Sequence, residues 1–186
     1  MTTELVREDS MALKVDGLRA RPAQYMREAI AQAAAPGAAR TSSVLESAMS
    51  AILLDVSVLY FKTSRSLRHI VGPNARNFRL LLEEQRAQLS AMIDQITERN
   101  RKLGVTVHKS VYQTVHQQGA LDKDAAYIQP WDILDDLQED NEELLALLKA
   151  ARALCNGGPD IATASLIDIW IDEAARRNWV FAQAVE

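Results

Sequence analysis

Three carboxylates lie at spacings that a helix brings to one side. Asp94 and Glu98 are four residues apart, and Glu83 precedes Asp94 by eleven residues, which is about three helical turns. Carboxylate oxygens are suitable ligands for hard cations. The spacing therefore predicts an acidic stripe that could hold a metal ion. The alternative is an ion-pair surface in which neighbouring arginines neutralise the carboxylates.

Other side chains that bind metals or act as nucleophiles are few. None of the three histidines, His69, His108 and His116, follows a glutamate by three residues. The Glu-x-x-His pairs of conventional di-iron bundles are therefore missing. Cys155 is the single cysteine, so no internal disulfide can form. Because no convincing base accompanies it, we expect a small buried filler rather than a nucleophile.

Composition narrows the class of protein. The chain has 186 residues, of which 48% are apolar and 5% aromatic, with only seven glycines and five prolines. This composition favours one core built from long helices. A net charge of −4 argues against a constitutively basic nucleic-acid binder. No uncharged apolar run approaches 18 residues and no leader is recognisable, so we expect a cytoplasmic protein with no membrane span.

Glycine and proline leave four long intervals that can form helices. The intervals cover 38–71, 74–103, 131–156 and 160–186, and the segment 105–129 separates the second from the third. Ser43 and Glu46 predict a capping box that opens the first helix after Thr41 and Ser42, Gly104 predicts the end of the second, and Asp160 predicts a cap on the fourth. This order predicts an all-α, ferritin-like four-helix bundle with a long crossover between helices 2 and 3.

The apolar pattern also predicts contacts between subunits. The second and third intervals have one apolar stripe each, whereas the first and fourth have apolar residues on more than one side. Surplus apolar surface indicates a homo-oligomer, and we expect Trp131, Trp170 and Trp179 in the core or at an interface. Residues 1–40 are interpreted as an arm or tail with a weak helix at 23–34, and residues 41–186 as the bundle, with a short helix at 111–117 in the crossover.

Four stretches, in their order and spacing, resemble the Dps (DNA-protection-during-starvation) mini-ferritins over residues 45–186. They are LYFKTSRSLRHIVGPN, LLEEQRAQLSAMIDQITERNRKLG, PDIATASLIDIW and RRNWVF. The resemblance implies a dodecameric hollow shell that oxidises iron at interfaces between two subunits and stores it inside. Some members also bind DNA outside the shell.

The resemblance also assigns metal ligands, and two of them are replaced. The family's two histidine positions fall on Leu67 and Arg79, while its carboxylate positions fall on Glu83, Asp94 and Glu98. In the family, Asp94 and Glu98 would come from the two-fold partner of the subunit that supplies the histidines and Glu83. Carboxylates alone hold Fe(II) weakly, and a guanidinium about 5 Å away would repel a divalent ion by roughly 6 to 7 kcal/mol. We therefore predict a weak or lost ferroxidase activity, with Arg79 paired to Glu83.

Two further residues are candidates for roles in iron chemistry. His69 lies two residues from the missing first ligand and would reach the site only if the helix end rotated. Asp160 falls where the family lines a three-fold pore, although the next acidic position of that motif is Ser165. The acidic run 132–143 is predicted to be a solvated face, or a cavity-facing surface that nucleates ferric mineral.

The predicted function is a Dps-like shell that sequesters iron and protects DNA and the cell during oxidative or starvation stress. Two alternatives stay open: an oligomer with a structural or interaction role that has lost iron, and an active ferroxidase with an unconventional site. DNA is a possible partner, but residues 1–40 contain six cations against five acids. Binding through this segment would depend on many copies acting together.

Overall fold

Four long helices make up the described part of the chain. The structure, a computed structural model, describes residues 38–72, 74–104, 130–156 and 160–185. The helices are α1 (Ala38–His69), α2 (Ala75–Lys102), α3 (Pro130–Leu154) and α4 (Ile161–Val185). The all-α four-helix bundle is thus confirmed. The predicted helices at 23–34 and 111–117, together with His108 and His116, lie outside the described residues.

Contacts between helices establish the arrangement of the bundle. α1 packs against α2 and α3, and α4 packs mainly against α3 and, along a narrower seam, against α2. On that seam the Trp170 indole donates to Gln95 over 2.8 Å, and Arg176 donates to Glu84 over 2.9 Å. The contact partner of Glu84 is Arg176, and that of Gln95, later in α2, is Trp170, earlier in α4. These two helices are therefore antiparallel.

The helix ends match the predicted chemistry at two of three positions. Gly104 adopts a left-handed φ of 73° immediately beyond α2, and the Asp160 carboxylate accepts the backbone N–H of Thr163 over 3.1 Å. The predicted start of α1 is wrong, since the helix already begins at Ala38 and includes Thr41 and Ser42. Strong helix formers, namely Ala38, Ala39 and Arg40, precede the expected capping box, so the helix begins several residues before it.

Exposed large apolar side chains occur on α1 and α4, as predicted, and also on α2 and α3, where Leu80 is 58% and Trp131 49% exposed. Phe61 is 49% exposed, Ile161 74%, Ile169 52% and Trp179 65%, whereas Trp170 is fully buried. The segment Val44–His69 of α1 is long and apolar enough to cross a membrane, but 44% of its most apolar window is buried inside the bundle. A core helix of a bundle can pass the same test, and α1 contacts both α2 and α3.

A polar cluster that the sequence analysis did not predict joins α3 to α4 inside the bundle. The Asn141 amide donates to the Ala174 carbonyl over 2.9 Å and to the side chain of Asn178, and its oxygen accepts Nε of Arg177 over 3.0 Å. Arg177 is 2% exposed, and its two terminal nitrogens have no hydrogen-bond partner among the described residues. Burial lowers the pKa of Arg177 to about 10.

A carboxyl group is enclosed between α1 and α3. Burial, together with the negative charges of Glu143 and Asp140, raises the pKa of Asp55 from 3.8 to about 7. About two turns further along α1, Lys62 forms ion pairs with Asp140 and with Asp136, the latter over 3.1 Å. Asp55 itself therefore retains a proton in the folded chain up to nearly neutral pH.

The substitution Asp55→Asn should make stability less dependent on pH. Between about pH 4 and 7 the folded wild-type chain holds a proton that the unfolded chain has released, so its free energy of unfolding falls as pH rises, by up to about 4 kcal/mol. The asparagine variant lacks this titration. Urea unfolding at fixed chain concentration and at several pH values measures the difference, with Asp135→Asn on the exposed face of α3 as control. Equal pH slopes for wild type and Asp55→Asn would contradict the assignment.

Candidate metal centre

The three predicted carboxylate ligands all lie on the exposed side of α2. Leu82, Leu89 and Ile96 bury the opposite side in the core, which leaves Glu83, Asp94 and Glu98 exposed. Glu98 pairs with Arg101 over 3.0 Å and with Lys102 over 3.3 Å. The acidic stripe that the spacing predicts therefore lies on the exposed side of α2.

A single chain does not bring these carboxylates together. Glu83 and Asp94 are separated by eleven residues of one helix, about 16 Å of axial rise. Among the described residues there is no group of three or more histidine, cysteine, aspartate or glutamate side chains that could hold a metal ion. A centre that used all three carboxylates would require a second chain.

The two residues at the replaced histidine positions make contacts within the chain. Leu67 is half-buried and packs against the hydrophobic core. Arg79 is exposed, and one terminal nitrogen donates to the Ile70 carbonyl oxygen over 3.1 Å. The predicted pair between Arg79 and Glu83 is absent from the described contacts. The carbonyl groups at the end of α1 lack helical partners and attract a cationic donor.

His69 lies on another side of the bundle from the acidic stripe. It is exposed at the end of α1 and lines a cleft with Lys62, Arg65, Asp132 and Asp136, which belong to α1 and to the first turns of α3. Its imidazole therefore faces α3, whereas the three carboxylates project from α2. In this arrangement the structure does not bring His69 to Glu83, Asp94 or Glu98.

Asp160 joins the start of α4 to the end of α2. Its carboxylate accepts hydrogen bonds from Thr163 and from Arg99, and Arg99 also donates to the Thr163 hydroxyl over 2.7 Å. Burial alone would raise the pKa of Asp160, but the hydrogen bonds from Thr163 and the positive charge of Arg99 hold it below its ordinary value. The predicted pore role stays a prediction, while the capping role is confirmed.

Cys155 has the environment expected of a structural filler. The residue is buried, and its thiol lies 3.6 Å from the Ala151 carbonyl oxygen. Burial, with Asp160 nearby, raises the pKa of the Cys155 thiol. A protonated buried thiol is a poor nucleophile and a poor metal ligand.

Arg177 was missed by sequence reasoning although its spacing carries a signal. Ile167, Trp170, Ala174, Arg177 and Phe181 recur at intervals of three and four residues, and all are buried. An arginine on an apolar helical stripe indicates a buried cation with a specific partner. Here that partner is Asn141.

Comparison with known proteins places the chain in a family. Residues 45–186 match the family model of the ferritin-like domain. The fold is similar to that of antigen TpF1 from Treponema pallidum, with a TM-score of 0.70, 23% identity, and coverage of 82% of this chain and 99% of that one. No curated protein sequence matches the chain.

Two Dps structures show the same likeness. Dps from Vibrio cholerae O1 aligns with a TM-score of 0.69 and 20% identity, over 78% of this chain and 91% of that one. A Listeria innocua Dps variant with two histidines replaced by glycine aligns with a TM-score of 0.67 and 12% identity, over 76% of this chain and 93% of that one.

The Asp160 cap gives a test of how the two helix ends are joined. Asp160→Ala should lower the free energy of unfolding by about 1 to 2 kcal/mol, because the variant loses an N-cap and leaves Arg99 without its carboxylate. Asp168→Ala is the matched control, since Asp168 pairs with Arg152 on the exposed surface and its loss should change stability much less. Urea unfolding compares the two variants. A similar decrease in the free energy of unfolding of both variants would contradict a specific stabilising role of the Asp160 cap.

The match over residues 45–186, the four-helix connectivity and the structural alignments lead to one conclusion: the chain belongs to the ferritin-like family and has the fold of the Dps mini-ferritins.

Proposed function

We propose that the chain is the subunit of a cytoplasmic mini-ferritin shell that takes up and stores iron, with weak oxidation of Fe(II). The observation that carries the proposal is the outer side of α2, where three exposed carboxylates accompany Arg79 at one position that resembles a histidine ligand site, while Leu67 of α1 occupies the other. Removal of Fe(II) from solution limits its reaction with peroxide. Protection of DNA and of the cell during oxidative or starvation stress would follow from that chemistry.

Assembly into a shell is part of the proposal. The exposed apolar residues of α4, Ile161, Ile169 and Trp179, supply surface that a lone bundle leaves in water. By resemblance to Dps, we propose twelve subunits. Light scattering after size-exclusion chromatography measures the number directly.

The ligand set predicts low affinity for Fe(II). Carboxylate oxygens without imidazole hold this ion weakly, and the guanidinium of Arg79 adds a positive charge beside them. A Dps fold does not require a full set of histidines, since the Listeria innocua variant that lacks two of them has the same architecture. The replacements at Leu67 and Arg79 are therefore compatible with the Dps fold.

Restoring the two imidazoles should strengthen iron binding. The variant Leu67→His/Arg79→His is expected to bind Fe(II) at least about tenfold more tightly than the natural chain and to oxidise it faster with peroxide. Two imidazole nitrogens would replace the aliphatic side chain of Leu67 and the positive charge of Arg79. Anaerobic calorimetric titration and the rate of ferric product formation are the measurements.

The matched control is Lys149→His/Ala175→His, which adds two imidazoles at exposed positions of α3 and α4. The variant Asp94→Ala should remove residual binding. If the natural chain already binds Fe(II) stoichiometrically in the micromolar range, or oxidises it as fast as the double-histidine variant, the proposed weakness is wrong. Absence of iron uptake in every variant would favour the structural oligomer.

Direct DNA binding is a separate hypothesis that residues 1–40 would carry. Their charge is nearly balanced, so contact with phosphates would be weak and sensitive to salt. Retention of plasmid in a low-salt gel, lost on deletion of residues 1–40, would support it.

A further inference from the structure

An arginine is buried inside the bundle without a carboxylate partner. Arg177 of α4 is 2% exposed, and Trp170, Ala174 and Phe181 on the same stripe of the helix are fully buried. Among the described residues no ion pair joins Arg177 to an aspartate or glutamate. The guanidinium has therefore lost its hydration, and burial of a charge without a partner is costly.

The charged groups near Arg177 do not neutralise it. Burial lowers the pKa of Arg177 to about 10, Glu173 one turn earlier opposes this shift, and the adjacent Arg176 adds to it. Because this pKa lies well above 7, the guanidinium keeps its positive charge at neutral pH. On the facing helix α3, the Asp140 carboxylate is already paired with Lys62 of α1.

Hydrogen-bond donors outnumber acceptors around Arg177. Each of its terminal nitrogens carries two N–H groups, and neither nitrogen has a partner among the described residues. The Asn141 oxygen already accepts Nε of Arg177. The Ala174 carbonyl and the Asn178 side chain already accept the Asn141 amide. Since buried polar groups nearly always have a partner, the unpaired N–H groups indicate an acceptor that the chain itself does not supply.

The acceptor that fits best is a small negative ion. Water would satisfy N–H groups but would leave the buried positive charge uncompensated. The two terminal nitrogens of a guanidinium form a planar fork, which suits one ion placed between them. Both nitrogens are enclosed, which excludes a large anion. We propose that this cluster binds one small monovalent anion of the chloride class at the terminal nitrogens of Arg177.

The proposed anion site belongs to a single chain. Asn141 and Arg177 are buried, whereas Asn178 is half-buried, so exchange with solvent would occur on the Asn178 side of the cluster. The site uses none of the residues proposed to hold iron and no contact between subunits. It is therefore independent of the proposed function.

The dependence of stability on chloride tests the site. Chloride is varied from about 0.005 M to about 0.5 M at constant ionic strength, with gluconate, which is too large for an enclosed site, as the replacing anion. Above the dissociation constant, each tenfold rise in chloride should lower the unfolding equilibrium constant about tenfold if the folded chain binds one ion. Urea unfolding at fixed chain concentration is the measurement.

Two arginine variants locate the ion. Arg177→Met removes the charge and keeps a long apolar side chain in the core, so it should abolish the dependence on chloride. Arg176→Met is the matched control, because the adjacent Arg176 is exposed, and it should keep the dependence. Circular dichroism confirms that each variant keeps its helices.

A crystal of the natural chain soaked in bromide gives a readout that needs no variant. Bromide can replace chloride and is identified by its anomalous scattering, so we expect a peak at the terminal nitrogens of Arg177. This measurement decides the question if Arg177→Met does not fold.

Several results would overturn the inference. Chloride dependence that Arg177→Met retains would mean that the ion binds elsewhere. A water molecule or the Glu173 carboxylate at the terminal nitrogens, with no bromide peak there, would mean that the site is not an anion site. A bromide peak without chloride-dependent stability would indicate binding at crystal concentration only.

Discussion

Metal chemistry in this fold depends on one constraint: a straight helix cannot bring together carboxylates that lie three turns apart. Glu83 and Asp94 are separated by about 16 Å along α2, whereas metal–oxygen bonds are about 2.0 to 2.6 Å. The core residues Leu82, Leu89 and Ile96 hold α2 by its opposite side, so the helix cannot rotate or bend to shorten the distance. Any centre that uses both carboxylates would therefore have to be shared between two chains.

The turn between α1 and α2 shows how the chain is stable without the two imidazoles. Leu67 packs against the core, and Arg79 satisfies the Ile70 carbonyl at the end of α1, where the helix dipole also favours a cation. Gly72 and Asn74 adopt left-handed φ angles of 109° and 63°, which close the turn. Each replaced position thus makes a contact of its own within the subunit, and neither side chain depends on a metal ion for its partner.

The sequence predicted the bundle well because few glycines and prolines interrupt it, and because end signals such as Gly104 and Asp160 act locally. It failed at the start of α1, where strong helix formers precede the expected cap. Helical spacing alone predicted a pair between Arg79 and Glu83. Spacing does not show that the Ile70 carbonyl oxygen at the end of α1 lies within reach of the Arg79 guanidinium. The enclosed Asp55 and the buried Arg177 were missed for a similar reason: each depends on which neighbouring helix covers a polar position on an otherwise apolar stripe.

Polar contacts between helices fix the position of the exposed side of α2. Asn141 and Arg177 link α3 to α4 inside the bundle, while Arg99, Gln95 and Glu84 link α2 to Asp160, Trp170 and Arg176 of α4. These directional bonds set the rotation and the axial position of α2 more narrowly than apolar packing alone would. Glu83, Asp94 and Glu98 consequently keep their spacing along the exposed side of α2 in the single chain. A shared metal centre would therefore require a second chain to fit this fixed spacing rather than a rearrangement of α2.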